Sequence, residues 1–418
     1  MANVNPSSFQ STLDRKLRTE LLADKDVKWA LQRVEKVTTG LGFTARRRLL
    51  ANSLRLTRSM APAVAEALAE CKEMLGYDKP VEVFVRPDPM INASAVYNPP
   101  GHPLIVLSSR LIEVFTEAEL RFVMGHELGH LTFEHFAIPM PVTAIAEDAA
   151  GVIVPRHTAL KLYLWCRAAE VSADRAGLLC GKDPDAAASG FFKLASGLAS
   201  GFVKPDLEAY SRQVDSLVSA PSARAKPRED DDTLDCFSTH PFSPLRVRAV
   251  VAFSKSKTYR ALVGRSGGGE GLSDEEVDSI IERDFREMDA SYLEEQSPHA
   301  ELLRRALFLG GLLVAHAHEG VSERELQALS ALLGSEHVGV LPSVDAARRE
   351  LTDVSARVRE KAPTSERARL LQHLTLVAAA DGNVAEEEFM ELQGLAAALS
   401  VPVSLIDETL RGAAHPLD

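Results

Sequence analysis

A chain of 418 residues, 45% hydrophobic and 25% charged, can build two or three buried cores and is too long for one ordinary domain. Its formal charge of -12 argues against nucleic-acid or anionic-membrane partners, which need a positive surface; the short basic run Arg46 to Arg48 reads as a solvated helix face. Four cysteines without a close pair exclude a disulfide scaffold and fit a reducing, cytoplasmic setting.

In chain order, residues 1–60 read as N-terminal helices, because Leu, Ala, Arg, Glu and Lys recur at three- and four-residue steps from residue 11 to about 75. Met1 to Ser8 contain no apolar core of the kind an export signal needs, so export is not expected. The pattern then changes to three short strands, Val81 to Val85, Ala93 to Tyr97 and Leu104 to Leu107, separated by Pro and Gly. Thr116 and Glu119 have capping-box spacing and predict a helix start. The apolar run from Ala137 to Val154 is broken by Glu147 and Asp148, and no stretch is long enough to insert in a membrane.

Helices are expected over about 158–181 and 185–219, followed by a loop from Pro221 to Asp235 rich in Pro, Ser and charge. Residues 221–237 are candidates for a lid controlling entry. The glycines between Gly264 and Gly271 mark a linker over 264–273. Residues 274–418 read as helical throughout. Within them Val314 to Leu326 aligns with Val377 to Phe389, each copy an apolar helix, a polar turn and a new acidic helix start, which predicts a duplicated helical hairpin.

Inside the helix beginning near Thr116 lies His126-Glu127-Leu128-Gly129-His130, an HExxH motif. The histidines are one turn apart on one face, so both imidazoles can reach a single zinc ion, and Glu127 can take a proton from zinc-bound water. Flanking Leu120, Phe122, Val123, Met124, Leu128 and Leu131 bury the helix, and histidines with a carboxylate are costly to bury without a metal. A catalytic zinc needs a third protein ligand. The pattern HExxHxxGxxH fails at Phe133 and Phe136, and a ligand at 149 fails at Ala149. Glu170, one turn before Asp174, is the better candidate, with Asp174 able to hydrogen-bond a ligand histidine. His135 lies off the metal-binding face and reads as a satisfied core or surface histidine.

Together Asn92-Ala93, His126 to His130, the ExxxD motif Glu170 to Asp174, and Ser238-Thr239-His240-Pro241 followed by Arg246-Val247 resemble the gluzincin family of CAAX prenyl proteases and HtpX-like proteases, over about residues 60–255. The resemblance implies an α+β, mainly helical, zincin-like domain over 61–263 with a small sheet of about three strands, followed by an all-α domain. It implies His126, His130 and Glu170 as ligands of one catalytic Zn2+, Glu127 as the base, and His240 as the stabiliser of the tetrahedral oxyanion. Asp174 would orient a ligand histidine, Arg246 would pair with Asp174 or a neighbouring acid, and Asn92 and Ala93 would receive extended peptide as an added strand. Many family members have membrane helices between the motifs, and this chain has none there, so a soluble zinc endopeptidase acting on peptide or unfolded protein is expected.

Residues 305–410 resemble the TerB-like helical domain, chiefly over Val377 to Glu388, and imply a regulatory or partner-binding role. The competing expectation is a latent or inactive metal-containing scaffold that acts through this C-terminal part.

Overall fold

The computed structural model describes residues 5–25, 27–29, 31–32, 41–97, 102–138, 156–199, 206–213, 243–264, 271–285, 292, 297–318, 320–321, 326, 329, 333, 341–379 and 384–414. His240, residues 221–237, the glycines of 265–270 and most of the apolar run 137–154 lie outside them. Among the described residues no helix is long and apolar enough to cross a membrane. The chain is mainly helical with one small sheet, as the sequence predicts.

The three strands expected between residues 81 and 107 form, and a fourth precedes them: Leu54–Arg55 (β1), Glu82–Arg86 (β2), Ala93–Val96 (β3) and Leu104–Ser108 (β4). Two exposed residues are too few for a period-two pattern to register, so β1 has no sequence signature. The order is β1-β2-β4-β3, with β2 and β4 parallel and the outer pairs antiparallel. Central β4 is buried throughout, Ile105 and Leu107 facing one core and Leu104 and Val106 the other, which is the two-residue period of a strand. β3 is terminal in the sheet and partly exposed.

The helices of the first half are Thr12–Ala23 (α1), Leu41–Asn52 (α2), Pro62–Leu75 (α3), Ser109–Val114 (α4), Glu117–Thr132 (α5), Arg156–Gly181 (α6), Pro184–Ser196 (α7) and Leu207–Ser211 (α8). The capping box forms: Glu119 N–H donates to Thr116 Oγ1 at 3.3 Å, and Thr116 N–H donates to Glu119 Oε2 at 2.7 Å. The single helix expected over 185–219 is instead broken after Ser196, because Gly197 takes φ 69° and its N–H closes on the Lys193 carbonyl at 2.8 Å.

α5 and α6 cross at very short range, and small residues make that possible. A Cβ at Gly129 would lie 2.9 Å from Ala176 Cβ and 3.0 Å from Ala173 Cα; one at Gly125 would lie 2.6 Å from Cys180 Cβ. Both glycines flank the HExxH histidines, so this contact fixes how far those histidines stand from Glu170 on α6. Gly129→Ala is therefore expected to wedge the helices apart and destabilise the fold by about 1–3 kcal/mol. Denaturant unfolding together with zinc titration reads both consequences, and parental values for both would remove the spacer role.

The first core reaches beyond the expected boundaries at both ends. Phe9, Leu17 and Leu21, around α1, pack in it, so the N-terminal segment is no appendage. Beyond Ser243–Ser254 (α9) and Lys257–Leu262 (α10), the helix Asp274–Phe285 (α11) also turns inward, through Val277, Ile281 and Phe285. Arg175 donates to Asp278 at 2.8 Å and Arg248 to Asp284 at 3.2 Å. The sequence reading starts the second unit at 274, whereas Val277, Ile281 and Phe285 of α11 pack in the first core.

A second core is built from Pro298–His316 (α12), Val344–Lys361 (α13), Thr364–Ala378 (α14), Glu386–Leu399 (α15) and Ser404–Ala414 (α16). Each repeat copy begins at the C-terminal end of a core helix, α12 or α14, and these two helices pack together. The new helix of the second copy is α15; its counterpart in the first copy lies largely outside the described residues.

Candidate metal centre

Three side chains from two helices converge. His126 and His130 stand one turn apart on α5, and Glu170 projects from α6. His126 Nε2 and His130 Nε2 are 3.2 Å apart, with Glu170 Oε2 3.5 Å from the first and Oε1 3.3 Å from the second. Zinc bonds of roughly 2.0–2.1 Å in a tetrahedron set neighbouring ligand atoms about 3.3 Å apart, so the donor set fits that ion. The chemistry agrees as well, because two imidazoles and one carboxylate leave a fourth position open. The side chain of each histidine is 12% exposed and that of Glu170 3%, so the set is largely shielded from solvent. Among the described residues this is the one cluster of its kind. Glu127, next to His126, is buried.

The far side of His126 is held by charge. Its Nδ1 lies 2.9 Å from Asp174 Oδ1. Arg246 on α9 donates from Nε to Asp174 Oδ2 at 2.9 Å and from Nη2 to Asp174 Oδ1 at 2.7 Å. The same guanidinium lies 3.1 Å from Glu170 Oε2 and covers the Phe191 ring at 4.8 Å. Burial pushes the Asp174 carboxyl upward, yet the Arg246 fork and His126 together hold it below the usual carboxylate range. The pairing of Arg246 with Asp174 and the contact of Asp174 with His126 are thus both present.

His130 is held differently. Its Nδ1 is 2.9 Å from His135 Nδ1, and His135 Nε2 is 3.1 Å from Asp14 Oδ2. Asp14, buried in the first turn of α1, also accepts from Ser172 Oγ at 2.7 Å, Trp165 Nε1 at 2.9 Å and Gln10 Nε2 at 2.9 Å. Burial opposes ionisation there, but His135 first, then Ser172 and Gln10, keep its pKa below the ordinary value. His135 is indeed a satisfied core histidine, and its partner is a metal-ligand candidate. Asp14 escapes a sequence reading altogether: an acid in the first turn of a helix looks like ordinary dipole complementation.

Asn92 is exposed and Ala93 partly so, at the start of the edge strand β3, which packs beside α5.

Residues 58–254 match the model of Peptidase family M48. Over 225 residues the chain is 31% identical to plastoglobule-localized metallopeptidase 48, chloroplastic, of Arabidopsis thaliana, covering 52% of this chain and 64% of that protein. It is 24% identical over 237 residues to the protease HtpX homolog of Ralstonia nicotianae, covering 50% of this chain and 80% of that one. The homolog from Ralstonia pickettii matches with the same identity and coverage. The chain thus spans less than two thirds of the Arabidopsis relative's length. With its paired imidazoles, convergent glutamate and matched span, residues 58–254 of this chain form an HtpX-like domain of Peptidase family M48.

Proposed function

We propose that the chain is a soluble zinc-dependent endopeptidase that hydrolyses peptide bonds in extended or unfolded protein segments. The observation that carries this reading is the tetrahedral spacing of His126, His130 and Glu170 beside a buried Glu127. Zinc held there would polarise the scissile carbonyl and bring the pKa of water near neutrality. Glu127 takes the proton of the attacking water and passes it to the leaving amine nitrogen. Asp174 fixes the ring of His126, and Arg246 fixes Asp174. His240 steadies the oxyanion, a role that rests on the resemblance of its motif alone.

The substrate binds as an added strand on the outer edge of β3, along Asn92 and Ala93. The terminal position of β3 beside α5 supports this, because main-chain pairing there asks for extended backbone and little else. The C-terminal helices regulate the site or dock a partner, in keeping with their TerB-like motif. A cytoplasmic setting, supported by the sparse cysteines, belongs to the same proposal.

Purified protein is expected to carry one zinc per chain and to cleave casein. A zinc chelator should stop cleavage and stoichiometric zinc restore it. Full cleavage by protein stripped of metal would sink the proposal.

A further inference from the structure

We propose that Asp14 is a positioning residue for the metal centre: through His135 it sets the orientation and tautomer of His130, which makes α1 part of the zinc site. This rests on the reading that His126, His130 and Glu170 hold zinc.

The contacts leave one consistent assignment of protons. His130 Nε2 faces His126 Nε2 at 3.2 Å and Glu170 Oε1 at 3.3 Å, so it is the nitrogen that must offer its lone pair to a cation. A neutral imidazole then carries its proton on Nδ1, which donates to His135 Nδ1 at 2.9 Å. His135 accordingly carries its own proton on Nε2, which donates to Asp14 Oδ2 at 3.1 Å. The reverse order fails at both ends: His130 would aim a proton at the metal position, and His135 would aim a lone pair at a carboxylate. Asp14 can only accept, and three further donors, from Ser172, Trp165 and Gln10, fix its oxygens.

The two ligand histidines are thus oriented by different devices. His126 leans directly on a carboxylate held by Arg246, inside residues 58–254. His130 leans on a second imidazole whose anchor sits at residue 14, outside that span. Helix α1 packs on α6, the helix that also carries Glu170, so its loss would disturb two of the three ligands.

The alternative is that Asp14 only glues α1 to α6. The two roles separate in the full-length protein by zinc affinity, measured by chelator competition, the visible spectrum of the cobalt-substituted protein, and the unfolding midpoint of the metal-free form. Asp14→Asn keeps the shape but loses the charge, and His135→Phe removes the relay. Each is expected to weaken zinc binding about 10–100-fold and to alter the cobalt spectrum. The double variant should be no weaker than His135→Phe alone, because Asp14 acts through His135. Leu21→Ala loosens the packing of α1 in the first core, touches no member of the relay and should keep zinc affinity within about threefold. Zinc affinity unchanged in Asp14→Asn and His135→Phe, or a double variant in which the two losses multiply, overturns the proposal. So does Leu21→Ala weakening zinc as much as Asp14→Asn, which would show simple docking. If the parent takes up no zinc, or Glu170→Gln binds it as tightly as the parent, the metal-site reading fails and this proposal falls with it.

Discussion

Glu127→Gln is expected to lower casein cleavage by about a thousandfold, within the roughly 10²–10⁴ range of general acid–base catalysis, while leaving zinc content and unfolding midpoint at parental values. The amide has nearly the same volume as the carboxylate and sits in the same buried place on α5, so packing gives no reason for the helix to move. His126, His130 and Glu170 are untouched, so the ion should stay. What disappears is the carboxylate next to His126 that is proposed to accept a proton from water and return it to nitrogen. Turnover, metal analysis and denaturant unfolding on one preparation separate the two effects. Undiminished turnover would refute the assigned base; loss of zinc would show that Glu127 is needed for the site itself.

The second large effect is expected at Arg246, and it is one of stability. Its guanidinium faces two buried carboxylates, Asp174 at 2.7 Å and Glu170 at 3.1 Å. Replacing it by leucine leaves both without their cation. Removing one partner of a buried pair typically costs about 3–5 kcal/mol, because the remaining charge is desolvated and uncompensated. Arg246→Leu should therefore cost about that much in the metal-free protein. Zinc bound between the histidines would neutralise part of the charge on Glu170, so the loss should be smaller in the zinc-loaded protein. Denaturant unfolding of both forms checks the sign of that difference. An equal loss in the two forms would mean that Arg246 acts through Asp174 or through packing on Phe191, with no contribution from the charge of Glu170.

Much of the centre is visible in the linear chain because its constraints are local. One helical turn separates His126 from His130 and another separates Glu170 from Asp174, so each pair shares a face by helix geometry alone. The three strands between residues 81 and 107 were equally legible, from alternation, small β-prone residues or a short apolar run set off by Pro and Gly, and the capping box at Thr116 showed the start of α5. Failures came where a short segment had no pattern, as at β1, or where one glycine stopped a helix, as at Gly197.

By itself the sequence determined the mainly helical class, the HExxH helix and the pairing of Glu170 with Asp174, all set by periodicity within a few residues. Only the tertiary structure decided that α1 and α11 close the first core and that Asp14 reaches the metal centre through His135. The physical reason is that both rest on packing between segments far apart in the chain. An acid in a first helical turn, or the apolar stripe of a helix such as α11, has no meaning until folding brings its partner within a few ångströms.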